Sequence, residues 1–119
     1  MTKNSNHLNN IDDDFTFICT LDDLEEGIGK RFIINDVEIA VFKIKSEVFA
    51  LNNICPHQQT HLIYDGFIEN DLVVCPAHGW KFNVKTGKKS SGGNGLTTYP
   101  VAFLKNKVYV KVHQKIFNW

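Results

Sequence analysis

Lys107, Val108, Tyr109, Val110, Lys111 and Val112 alternate in a period of two. That is the repeat of a strand with one face turned to a core. Val37, Ile39 and Val41 alternate in the same way with Glu38 and Ala40, which predicts one buried face for the segment 37–44. No stretch of eleven residues carries an apolar repeat of 3.6, so the pattern excludes a helical domain and predicts an all-β one. The runs RFIIN, VEIAVFKI and EVFALNN are rich in β-branched and aromatic residues. Polar breaks at Asn35-Asp36 and Lys45-Ser46 suit hairpin turns between them, giving an antiparallel meander. FTFICT is a further strand, and LDDLEEG starts like a short helix or turn. FIEN, DLVVC and WKFNV read as hairpin strands, and TYPVAFL and KVYVKVHQKIF as a final pair turned at 105–107.

The chain has 119 residues, enough for one domain with one continuous core. Its first 14 residues are rich in Asn and Asp and predict a flexible tail, leaving 15–119 as the folded domain. Lys plus Arg and Asp plus Glu both number 13, so no overall charge draws the chain to nucleic acid or to an anionic membrane. No apolar run is long enough to span a bilayer, and the start lacks the apolar stretch of a secretory signal; the expected location is the cytoplasm. The three cysteines, Cys19, Cys55 and Cys75, cannot all pair, and in a reducing compartment Cys55 and Cys75 point to metal before disulfide. Cys19, in a strand, is expected in the core.

Chemistry concentrates in two short loops. Cys55-x-His57 and Cys75-x2-His78 are separated by 17 residues, each loop carries a proline (Pro56, Pro76), and each follows a predicted strand. One soft sulfur and one imidazole per loop suit zinc or an iron–sulfur cluster and suit magnesium or calcium poorly. Zinc fingers usually pair like ligands, as C-x2-4-C or H-x3-5-H, which disfavours zinc here and leaves a zinc-stabilised interaction module as an alternative. The glycines of TGKKSSGGNG do not fit a phosphate loop: Lys88 is followed by Lys89, and no helix follows.

The two loops resemble the Rieske [2Fe–2S] signature C-x-H-x15-17-C-x2-H. The similarity extends to VFALNNICPH, to CPAHGWKFNVKTGK and to LTTYPV, over roughly residues 15–113. The resemblance implies stacked antiparallel sheets with a small cluster-binding subdomain. It implies one [2Fe–2S] cluster per chain, with Cys55 and Cys75 on the inner iron and His57 and His78 on the outer one. LTTYPV would be the proline-containing segment that covers the cluster from a third side. His61, where relatives often carry Pro, would be a loop histidine.

High-potential relatives add a bridging disulfide and hydroxyl donors to the cluster. Here Trp80 and Phe82 stand where those donors would be, so the resemblance implies a potential at the low end of the Rieske range, about −150 mV. The implied function is that of an electron carrier without catalysis of its own, linking an NAD(P)H-dependent reductase to an oxygenase. The alternative is the small subunit of an NAD(P)H nitrite reductase, partnered by its large subunit. Only 41 residues follow His78, with one histidine among them, His113, so a mononuclear iron site of the oxygenase type has no room.

Overall fold

A computed structural model of the chain describes residues 14–57, 59–77 and 79–112. The tail expected over residues 1–14 lies, except for Asp14, outside the described residues. Among the described residues ten strands form three antiparallel sheets: β1 (Phe15–Thr20), β10 (Lys107–Lys111) and β9 (Val101–Leu104) in one; β2 (Lys30–Ile34), β3 (Val37–Ile44), β4 (Glu47–Asn52) and β8 (Thr98–Tyr99) in the second; β5 (Phe67–Glu69), β6 (Leu72–Val74) and β7 (Lys81–Asn83) in the third. The helix-like start after β1 is a single 3₁₀ turn, Leu21–Asp23, held by the Asp23 carboxylate accepting from Thr20 N–H at 3.0 Å.

The meander forms where the sequence places it. Asn35 and Asp36, and Lys45 and Ser46, all take positive φ between 51° and 72°, the geometry of two-residue turns whose twist matches the flanking strands. Asn35 tolerates that conformation well, and its Nδ2 also donates to the carbonyl of Val112 at 2.8 Å, tying this turn to the end of β10.

The four-stranded sheet is the middle layer. On one face Ile39, Val41, Val48 and Ala50 pack with Val108, Val110, Cys19 and Leu24; on the other, Ala40, Phe42, Ile44 and Leu51 pack with Ile63, Val73, Phe82, Cys55 and Cys75. The expectation of one buried face for 37–44 therefore needs correction: Ile39, Ala40, Val41 and Phe42 are all fully buried, because β3 lies between two cores. A strand covered on both sides loses the polar alternation of a half-exposed one. Burying Phe42 and Phe82 completely contributes about 2–3 kcal/mol each through removal of apolar surface from water.

Within LTTYPV, Leu96 packs in the core that holds Cys55 and Cys75. Thr98 and Tyr99 pair with Leu51 and Ala50 as the edge of the middle sheet, and Tyr99 packs in the core that holds Cys19. Pro100 follows directly and is exposed, a position where a missing backbone donor interrupts no ladder. Cys19 is a core residue, 6 % exposed, with its thiol pushed up to about 11 chiefly by burial and then by the charge of Asp23. Among the described residues no helix is long and apolar enough to cross a membrane.

Candidate metal centre

Strands β4 and β6 deliver the two cysteines to one corner, and the two loops close in the same way. Cys55 N–H donates to the carbonyl of Thr60 at 2.8 Å; Cys75 N–H donates to the carbonyl of Trp80, also at 2.8 Å. In both loops the cysteine amide bonds to the fifth residue onward, so each loop makes a tight hook around its own sulfur. Gly79 N–H adds a second bond to the Cys75 carbonyl at 2.9 Å. Gly79 takes φ +77°, a conformation that suits glycine, and this lets the second hook turn directly after position 78.

Cys55 and Cys75 are both fully buried and neither is in a disulfide. Their side chains are within hydrogen-bond reach of one another. Burial pushes the Cys55 thiol up, and the neighbouring Cys75 adds to that push. The His57 backbone N–H, which donates to the Cys55 sulfur, and the charge of Lys89 act in the opposite direction. In the protein alone the balance at Cys55 favours the thiol, so the charge of a bound metal would have to hold the sulfur as thiolate.

His57 is half-buried on the outer side of the first hook. Its ring stacks on the Trp80 indole, centroids 4.3 Å apart and planes 15° from parallel. Trp80 in turn contacts Phe82, whose ring lies in the core below, at 6.4 Å. His78, the remaining sequence-predicted site residue, lies outside the described residues. Without it, the described residues contain no group of three or more His, Cys, Asp or Glu side chains arranged to hold one metal ion.

The first hook is anchored from behind by Asn53, a fully buried polar residue. Its Nδ2 donates to Glu38 Oε1 at 3.1 Å and to the His61 carbonyl at 3.2 Å, and its Oδ1 accepts from Tyr64 N–H at 2.7 Å. Backbone bonds from Asn53 N–H to the Glu38 carbonyl and from Ile63 N–H to the Asn53 carbonyl complete the clamp. One amide side chain thus pins residues 61–64 to strand β3.

His61 is not at the sulfur corner; its Nδ1 lies 2.9 Å from Glu38 Oε2. That hydrogen bond first, and the Asn53 donor second, hold the Glu38 carboxyl below its ordinary value of 4.5. A lowered folded-state value means that the ionised form stabilises the fold above the unfolded value, and that this contribution is lost as the pH falls through the lower one. Glu38→Gln is therefore expected to narrow its stability gap to wild type as the pH drops from about 6 to about 3. Thermal melts of the two proteins across that range measure the gap, and a gap that stays constant would remove Glu38 from the acid response.

Sequence reasoning named Cys55, His57, Cys75 and His78 as ligands and did not reach the residues packed around the two hooks. Glu38 and Asn53 carried no motif. Lys89 entered only in excluding a phosphate loop, and Trp80 only as the residue standing where a hydroxyl donor would be. Thr60 was also missed: its Oγ1 is buried and has no hydrogen-bond partner among the described residues. Cys55 and Thr60 are bridge partners, and directly opposed residues of an antiparallel pair share a face, which puts this hydroxyl on the Cys55 side of the loop. The sequence-based comparison considered only positions 80 and 82 for hydroxyl donors. Two paired soft donors, an imidazole beside them and a buried hydroxyl still able to donate fit a sulfide-bridged iron cluster.

Comparison with known proteins agrees with that chemistry. Residues 14–100 match the model of the Rieske [2Fe-2S] domain. The ferredoxin component of the naphthalene 1,2-dioxygenase/salicylate 5-hydroxylase systems of Ralstonia sp. is 34% identical over 94 residues, covering 77% of this chain and 89% of that protein. A solved structure assigned as the small subunit of an NADPH nitrite reductase superposes with a TM-score of 0.75 at 26% identity, covering 82% of this chain and 98% of the other. Another, assigned as the NADH-dependent nitrite reductase small subunit of Mycobacterium tuberculosis, gives a TM-score of 0.79 at 20% identity, covering 83% and 95%. With a family model matched over most of its length and a fold shared almost end to end with these structures, the chain belongs to the Rieske [2Fe-2S] domain family.

Proposed function

We propose that residues 15–119 form an electron-transfer domain in which Cys55 and Cys75 hold the inner iron of a [2Fe–2S] cluster and His57 and His78 the outer one. The observation that carries this reading is the pair of fully buried cysteine side chains, within hydrogen-bond reach of each other on two hooks of the same construction. When bound, such a cluster supplies a one-electron couple, and replacing two thiolate ligands by neutral imidazoles raises its potential above that of an all-cysteine cluster.

The chain's own residues do the rest. Ile63, Val73, Phe82 and Leu96 wall the sulfurs off from water, and the hooks fix their spacing, so little has to reorganise when charge changes. The imidazole of His57 stands at the outer side, where a partner would dock. Lys85 and Lys88 are exposed on the hairpin that follows the second hook and provide a rim for an acidic surface; Lys81 is occupied by Glu69 at 3.1 Å.

By its likeness to the dioxygenase ferredoxin component, the chain passes electrons from an NAD(P)H-dependent reductase to an oxygenase in the cytoplasm and makes or breaks no substrate bond itself. The nitrite reductase small-subunit reading is the second, favoured by the 26% identical structure covered over 98% of its length. Purified protein is expected to be coloured, to carry two irons per chain, and to be reduced by NAD(P)H only when a flavin reductase is added. Reoxidation by a Rieske oxygenase supports the first reading. Stable co-purification with a nitrite reductase large subunit supports the second. Colourless protein containing zinc overturns both.

A further inference from the structure

Lys89 stands on a backbone fixed from both sides. It bridges Phe82 across the hairpin, Asn83 N–H donates to the Lys88 carbonyl and Ser90 N–H to the Lys81 carbonyl, both at 2.9 Å, and Gly92 N–H donates to Lys89's own carbonyl at 3.0 Å. From there the side chain runs over the indole of Trp80, with Nζ 3.5 Å from the ring centroid. Gly93 lies beside the ammonium, a Cβ built there falling 3.5 Å from Nζ, which is ordinary contact distance. The Trp80 ring under this cation is the one stacked on His57. The column is therefore ammonium, indole, imidazole, with each layer in contact with the next.

The charge at the top of the column is uncompensated. Lys81 has Glu69, whereas Lys89 forms no ion pair among the described residues. Through the Trp80 ring it stands next to His57, the proposed ligand of the outer iron. A cation seated over an aromatic face is held more firmly than a freely solvated lysine, which restricts its position relative to the centre.

We propose that Lys89, seated on Trp80, is a positioned cation that raises the reduction potential of the centre and so favours its reduced form. The added electron makes the centre more negative by one unit, and a fixed positive charge stabilises that state over the oxidised one. This rests on the proposed cluster ligation. It also adjusts the sequence-based expectation, which counted hydroxyl donors to sulfur and left this charge out.

The test is the midpoint potential of holoprotein by spectroelectrochemistry for wild type, Lys89→Met, Lys89→Gln and Lys89→Arg, with iron content measured on each. At the potential where wild type is half reduced, the neutral variants are expected to show a reduced-to-oxidised ratio about tenfold lower, a shift of about 59 mV for a one-electron couple. Lys89→Arg, which keeps the charge over the indole, is expected to stay within about twofold. Neutral variants with the wild-type potential overturn the proposal, as does an arginine variant that shifts as far as they do. If both neutral variants lose iron while the arginine variant keeps it, the lysine holds structure and the proposal also falls. Wild-type protein without iron is a different result, which overturns the ligand assignment.

Discussion

Cys75→Ser protein is expected to be colourless, with iron falling from two per chain to close to none, while Cys19→Ala keeps both its colour and its iron. The contrast comes from position. Cys75 and Cys55 meet at one corner in the core beneath the hooks, and Cys19 belongs to the opposite core, where its thiol stays protonated. Serine offers a harder oxygen donor with a much higher pKa than a thiol, and it leaves one iron of a sulfur-bridged pair short of its soft ligand. Visible absorption and an iron assay on the two variants decide the matter. A Cys19→Ala protein that loses its colour, or a Cys75→Ser protein that keeps it, would overturn the assignment of the inner ligands.

Asn53→Ala is expected to lower unfolding free energy by about 2–4 kcal/mol, a large effect for a site that touches neither sulfur. The substitution leaves the Tyr64 N–H without its acceptor and removes the donor shared by Glu38 and the His61 carbonyl, all around a fully buried position. Leaving buried polar groups unsatisfied costs about 1–3 kcal/mol each, more than a typical hydrogen bond contributes when made. Since the same groups tether residues 61–64 behind the first hook, the holoprotein should also bleach faster on warming. Urea titration followed by circular dichroism measures the first effect and loss of visible absorbance the second. A change below about 0.5 kcal/mol would mean that the backbone bonds of Asn53 alone hold the loop.

The sequence was legible wherever the information is local. The alternation over 107–111 became β10, the polar pairs 35–36 and 45–46 became turns, and the Cys-x-His and Cys-x2-His spacings led to loops whose two cysteines do meet. It was opaque where partners are distant in the chain or where a strand has no solvent side. Ala40 read as the polar phase of an alternating strand because a small residue is ambiguous, yet it packs in the same core as Phe42 and the cysteines. His61 and Glu38 are 23 residues apart, and Lys89 gains its meaning only from the ring beneath it. Neither relation leaves a periodic trace.

Strand β3 lends Ala40 and Phe42 to the layer behind the cysteines, and Ile39 and Val41 to the layer that holds both ends of the described chain. A single extended segment therefore serves as the partition wall of two rooms. Neither room can be opened without breaching the wall of the other, so the cofactor end has no private melting transition. Unfolding of either room is therefore expected to carry the other with it, so that damage to β3 is felt at the cysteines and in the opposite core together.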